Sequence, residues 1–215
     1  MNALVDYWLA GGPLMIPLAV LCFAMWLCIV VLYPKLQSAT TAASGVPELL
    51  HGLRAESVTL RVKEWAAAHP GPVARVAEYA TSAGLEPGMI RDRLAEGRLA
   101  EIPPFQHELT ILKAMVAAAP LLGLLGTVKG MIATFSVLST RGTASMELLS
   151  AGISEALVTT QVGLVVALPG LVGAYAISRR LAGLEAAFDC LESHLLASTA
   201  QHRAQPESGT KGDTS

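Results

Sequence analysis

Charge is scarce in this sequence. Only 15% of its 215 residues are Asp, Glu, Lys or Arg and 53% are hydrophobic, which is too apolar for an ordinary water-soluble domain. The mean hydropathy of +0.51 says the same. A net charge of −2 without a basic cluster sets nucleic acid aside as a partner. Aromatic residues, at 5%, are too few for a stacking platform. Of the three cysteines, Cys22 and Cys28 stand about 9 Å apart along one apolar helix, too far for a disulfide within it. Cys190 stands alone, and all three are packing residues. His51, His69, His107, His194 and His202 fall outside the apolar runs and form no CxxC or HExxH spacing, so no metal site and no cofactor is expected.

What is present is three long apolar runs. The first, Leu14 to Tyr33, has the length that a bilayer core demands of a helix. Asp6 replaces a basic leader before it, and Pro34 and Lys35 follow in place of a small-residue cleavage site, so it is expected to stay as an anchor. Tyr7, Trp8 and Tyr33 suit the two interfaces. The second run covers 111–138 and the third 151–178. Between the first and second lies a charged stretch, 34–110, in which Leu49, Leu50, Leu53, Leu60 and Trp65 recur at helical spacing. His69-Pro70-Gly71-Pro72, Gly84 to Gly88 and Pro103-Pro104 are turn signals that divide it into short helices. After the third run, Leu181, Leu184, Phe188, Leu191 and Leu195 continue at helical spacing, so residues 179–200 extend that helix. The Ser, Gly, Thr and Pro-rich tail at 201–215 is expected to be disordered.

Lysine and arginine placement gives the orientation. Residues 1–13 carry none and the 139–150 turn carries only Arg141. Lys35, Arg54, Arg61, Lys63, Arg75, Arg91, Arg93 and Arg98 crowd the 34–110 loop, and Arg179 and Arg180 close the third run. The expectation is an all-α integral membrane protein with three transmembrane helices, N-out and C-in. Residues 1–13 and 139–150 lie outside, 34–110 and 179–200 lie in the cytoplasm, and the second and third helices extend into it.

The segment AAPLLGLLGTVKGMIATF at 118–135 is the most telling. Lys129 inside an apolar run costs roughly 2.5–3.5 kcal/mol on insertion scales, so it marks a working surface rather than a passive anchor. Pro120, Gly123, Thr127, Gly130 and Thr134 share one helical face, with Gly126 close by, and Thr160, Gly163 and Ala167 share another. Thr159 and Glu155 lie beside the latter. An antiparallel pair would bring Thr127 and Thr160 to similar depth in a narrow band of small residues and hydroxyls. Small residues alone let membrane helices pack closely; equally, the hydroxyls can order a file of water without titrating. Both readings stand on spacing. Glu155 is either an acid at a helix N-terminus or part of a polar entrance. Lys129 lies about 200° round the helix from Thr127 and must snorkel, face another helix, or meet an acid such as Glu155 of the same or a neighbouring subunit. No run carries Asp, Glu or His near its centre, so a proton-binding carboxylate would have to come from a second protein.

APLLGLLGTVKGMIATF at 119–135 and AGISEALVTTQVGLVVALPGLVGAY at 151–175 resemble the paired signature of the ExbB/TolQ/MotA proton-channel family, and GGPLMIPL at 11–18 resembles the lead-in to the first span of its ExbB branch. The resemblance implies a homo-pentamer in the bacterial inner membrane, built around the single spans of an ExbD/TolR-like protein that supplies a membrane aspartate. A TonB-like protein would be energised for transport across the outer membrane. It also implies that the pore threonines are Thr127 and Thr160 and the functional glutamate is Glu155. The position of Lys129 is filled variably in the family. A TolQ-like subunit for envelope maintenance is the near alternative, and a flagellar stator fits less well because that branch has four spans. A passive membrane scaffold is a rival of another class. An enzyme is not expected, because an intramembrane hydrolase would need a Ser-His pair and the runs contain no His.

Overall fold

The computed structural model describes residues 11–50, 58–82, 86–141 and 146–204. Every regular element among them is a helix: α1 Met15–Ala43, α2 Val46–Leu50, α3 Val58–Ala68, α4 Pro72–Thr81, α5 Pro87–Arg141 and α6 Met146–Ala204. Among the described residues, three stretches are long and apolar enough to cross a membrane, within Met15–Leu49, Pro87–Ser136 and Gly152–Ser198. Helix is the form that satisfies every backbone N–H and C=O inside a single segment, which hydrocarbon requires. Tyr7 and Trp8, Leu53, the middle of the 139–150 turn and most of the 201–215 tail lie outside the described residues.

The described residues gather into two compact units, Met1–Leu32 with Glu108–Ile177, and Tyr33–His107 with Ser178–Ser215. The first is apolar inside and out. Met15, Leu18, Met25, Leu32, Leu112, Val116, Ala119, Ala156, Ala174 and Ile177 are buried. Ile16, Val20, Phe23, Leu121, Leu124, Ile132, Leu164, Leu168 and Val172 face outward, as a lipid-facing surface does. α1 seats its larger side chains on α6 glycines: Met25 lies over Gly170 and Ile29 over Gly173.

The second unit is held by mixed contacts. Leu36, Val62, Val73, Val76, Ile90, Leu184, Phe188, Leu191 and Leu195 are buried. Trp65 donates its Nε1–H to the Gly45 carbonyl at 3.0 Å and stacks on His69. Arg75 makes a bidentate pair with Glu101, Arg98 pairs with Asp189, and the Gln106 amide donates to Glu185 at 2.8 Å. Tyr79 donates its hydroxyl to Glu96 at 2.9 Å, and that bond, with the carboxylate's charge, pushes the phenol above its ordinary value of 10.0.

The structure departs from the sequence reading at several positions. Pro103-Pro104 does not turn the chain, because α5 runs through it. The missing N–H groups free the carbonyls of Leu99 and Ala100, but Leu99 is 74% exposed and both prolines face outward, so water can take their place. α1 likewise passes Pro34 and continues to Ala43. Ser38 and Thr40 donate their hydroxyls to carbonyls one turn back, at 2.9 Å each, along that continuation. Leu60 shares no buried face with Leu49 and Trp65: it is 68% exposed. Helix reaches into the expected tail as far as Ala204.

Candidate functional site

Within the first unit, α5 and α6 meet along a line of small residues. Antiparallel packing sets Gly123 against Thr160, Gly126 against Thr159, Gly130 against Ala156, and Thr134 against Gly152. The approach is close enough that a Cβ on Gly163 would stand 2.8 Å from the Ala119 carbonyl oxygen, and one on Gly123 would stand 3.0 Å from the Thr160 Cα. Such spacing exists only because glycine lacks a side chain.

The hydroxyls on this seam are all engaged. Thr160 is half-buried and donates across the helix pair to the Gly123 carbonyl at 3.0 Å. Thr127 is half-buried and donates to the Leu124 carbonyl of its own helix at 2.8 Å. Thr160 therefore stands opposite Gly123, which lies four residues, about 6 Å of helix rise, from Thr127 on α5. Thr159 is buried, rests on Gly126 and donates to the Ala156 carbonyl at 2.8 Å. Thr134 is buried against Gly152 and donates to the Gly130 carbonyl at 2.8 Å. Thr159 and Thr134 are thus part of the packed seam, whereas Thr127 and Thr160 keep some exposure.

Lys129 is exposed, and among the described residues it makes no ion pair with Glu155 of its own chain. Glu155 is half-buried and lies instead against Gly12, at the foot of α1. A Cβ there would fall 1.8 Å from the Glu155 Oε1, and Gly12 also adopts a φ of +65°, a conformation that favours glycine. The sequence reading had no access to this contact, since 142 positions separate the two residues; the Gly11-Gly12 pair before a long apolar run is its one local sign.

A family model described as the MotA/TolQ/ExbB proton channel family matches residues 68–189, more than half of the chain and the whole of the α5–α6 seam. The chain belongs to the MotA/TolQ/ExbB proton channel family. Among its relatives, a putative biopolymer transport protein ExbB-like 3 of Synechocystis is 39% identical over 104 residues, 47% of this chain and 50% of that protein. The biopolymer transport protein ExbB of Xanthomonas campestris is 34% identical over 89 residues, 41% of this chain and 35% of that one. The Tol-Pal system protein TolQ of Haemophilus influenzae is 32% identical over 85 residues, 40% of this chain and 37% of that one. The chain spans half or less of the length of these relatives. The ExbB resemblance read from the motifs holds at the level of the family and its ExbB-named members.

Glu155→Gln keeps the size of the side chain beside Gly12 and removes its charge. The expected outcome is a membrane-inserted, normally assembled protein with proton flow reduced severalfold. Proton flux into membrane vesicles from a strain carrying only this variant measures it, and wild-type flux would make Glu155 an interfacial acid and nothing more.

Proposed function

We propose that this protein is the channel and stator subunit of a motor in the bacterial inner membrane driven by the proton-motive force. It would be of the ExbB type, N-out and C-in, and pentameric around an ExbD/TolR-like partner. The observation that carries the reading is the α5–α6 seam. Close-packed glycines bring two half-exposed hydroxyls, Thr127 and Thr160, to levels about one turn of α5 apart on a membrane surface that has no acid of its own at that depth. Hydroxyls can hold water but do not carry a proton at neutral pH. Coupling to a field worth roughly 2.3 kcal/mol per charge per 100 mV needs a group that binds and releases the proton. A carboxylate from the partner's span supplies it, and the work delivered is the energising of a TonB-like protein for transport across the outer membrane.

A TolQ-like role in envelope maintenance is supported by the TolQ relative and differs in the partner set served. A passive scaffold would use the hydroxyls for packing alone, and its function would survive their removal. Liposomes containing this protein alone are expected to hold a pH gradient, and the same preparation is expected to run as five copies in native mass spectrometry. Adding the single-span partner is expected to permit slow, gated proton flow. Rapid proton leak through the protein alone would sink the division of labour, and a monomer under all mild conditions would sink the assembly.

A further inference from the structure

Within the second unit Tyr33 and Arg180 meet, each at the end of an apolar run of bilayer length. The run in α1 ends at Tyr33, and the run in α6 ends at Ile177, with Arg179 and Arg180 just beyond. The Arg180 guanidinium lies over the Tyr33 ring, 4.5 Å from its centroid, and its Nη2 donates to the Tyr33 hydroxyl at 2.8 Å. Both side chains are half-buried, and Arg179 beside them is exposed.

Among the described residues, ion pairs join Arg75 to Glu101 and Arg98 to Asp189, and none reaches Arg179 or Arg180. The next two acids along α6 are already engaged, Glu185 by Gln106 and Asp189 by Arg98. Arg180 spends one of its five N–H donors on Tyr33. The Tyr33 hydroxyl accepts that bond and keeps its own proton to donate. The pair therefore presents a fixed guanidinium fork and a phenolic O–H, with a second guanidinium one residue away. All are donors, two are positive, and among the described residues no acid forms an ion pair with them.

We propose that Tyr33, Arg179 and Arg180 form a binding site for the phosphodiester of an anionic phospholipid. The phosphate chemistry follows from the donor set, because a planar fork matches two phosphate oxygens and an ammonium does not. The lipid source follows from position, because each member stands where a membrane-crossing run ends, at the level of the headgroups. Basic pockets between membrane helices recognise anionic headgroups in this way. Stacking on Tyr33 orders the fork before the lipid arrives, which lowers the ordering cost on binding.

Native mass spectrometry of the full-length protein in mild detergent tests the site, with phosphatidylglycerol or phosphatidylcholine of the same acyl chains added. The wild type is expected to retain phosphatidylglycerol about tenfold over phosphatidylcholine, and inorganic phosphate at millimolar concentration is expected not to displace it. Arg179→Gln with Arg180→Gln should bring the two lipids level. Arg180→Lys keeps the charge but loses the fork, and should cut the preference at least threefold. Tyr33→Phe keeps the ring and should also weaken it. If the glutamine pair fails to fold, the wild type still decides: phosphatidylglycerol should raise its Tm by several degrees more than phosphatidylcholine does. Equal retention of both lipids by the wild type, or an equal Tm gain, would overturn the site. So would a preference unchanged in Arg180→Lys and the glutamine pair, which would leave the arginines as topology signals. Displacement by inorganic phosphate would overturn the lipid assignment.

Discussion

Thr127→Val and Thr160→Val are each expected to give a full-length, membrane-inserted protein that does at least about tenfold less proton-driven work, which is about 1.4 kcal/mol on the limiting barrier. Valine has nearly the shape of threonine, so the fit against Gly123 survives at position 160. The Gly123 carbonyl loses the Thr160 hydroxyl as a donor but keeps its partner in the helical ladder, the N–H four residues on. At position 127 the lost bond ran to a carbonyl of the same helix, so its removal leaves no break between helices. Stability should therefore change little, and the loss should fall on function. Energised uptake and abundance in the membrane, measured side by side, decide it. Normal uptake by both variants would make the threonines packing residues.

Gly126→Val is expected to act in the opposite sense, on assembly first. Its Cβ would stand 2.1 Å from the Thr159 Oγ1 and 2.6 Å from the Thr159 Cβ. Thr159 is 3% exposed and has nowhere to move. Overpacking of this kind costs about 1–3 kcal/mol, and because the buried Thr159 side chain fills the space between the two helices they must shift apart to relieve it. Loss of membrane-inserted protein and a lowered Tm in detergent are the expected readouts. Gly126→Val combined with Thr159→Ala should recover part of the loss by making room. Gly183→Ala is the control: a Cβ there meets nothing, and alanine in a helix interior should be neutral or stabilising by up to about 1 kcal/mol. A Gly126→Val protein as stable as the wild type would mean that the seam is looser than its geometry implies.

The three apolar helices were legible in the sequence because bilayer-length apolar runs need no partner to be recognised, and the family was legible because its two motifs are long and ordered. The two prolines at 103 and 104 misled, since a proline pair is a local signal and the compensation for it, exposed carbonyls on an outward face, depends on the fold. Leu60 misled in the same way: helical spacing says that residues share a face, but not which face is covered. At the site, glycine and threonine positions could be read, but their register could not. That Gly126 receives Thr159 and Gly123 receives Thr160 follows from the angle at which two helices cross, which no periodicity encodes. The contacts of Glu155 with Gly12 and of Arg180 with Tyr33 join distant positions, and no spacing within the sequence pairs them.

The four threonines of the seam share one trait. Each hydroxyl lies within bonding distance of a carbonyl oxygen, and a carbonyl can only accept, so each threonine has committed its only proton. What Thr127 and Thr160 offer outward is lone pairs alone. A neutral carboxylic acid brought against such a surface finds acceptors for its O–H, whereas a carboxylate finds nothing that will donate to it. Hydrogen bonding to the neutral form raises an acid's pKa. On the proposed reading, an acid carried past this seam would be held better in its neutral form than as a carboxylate.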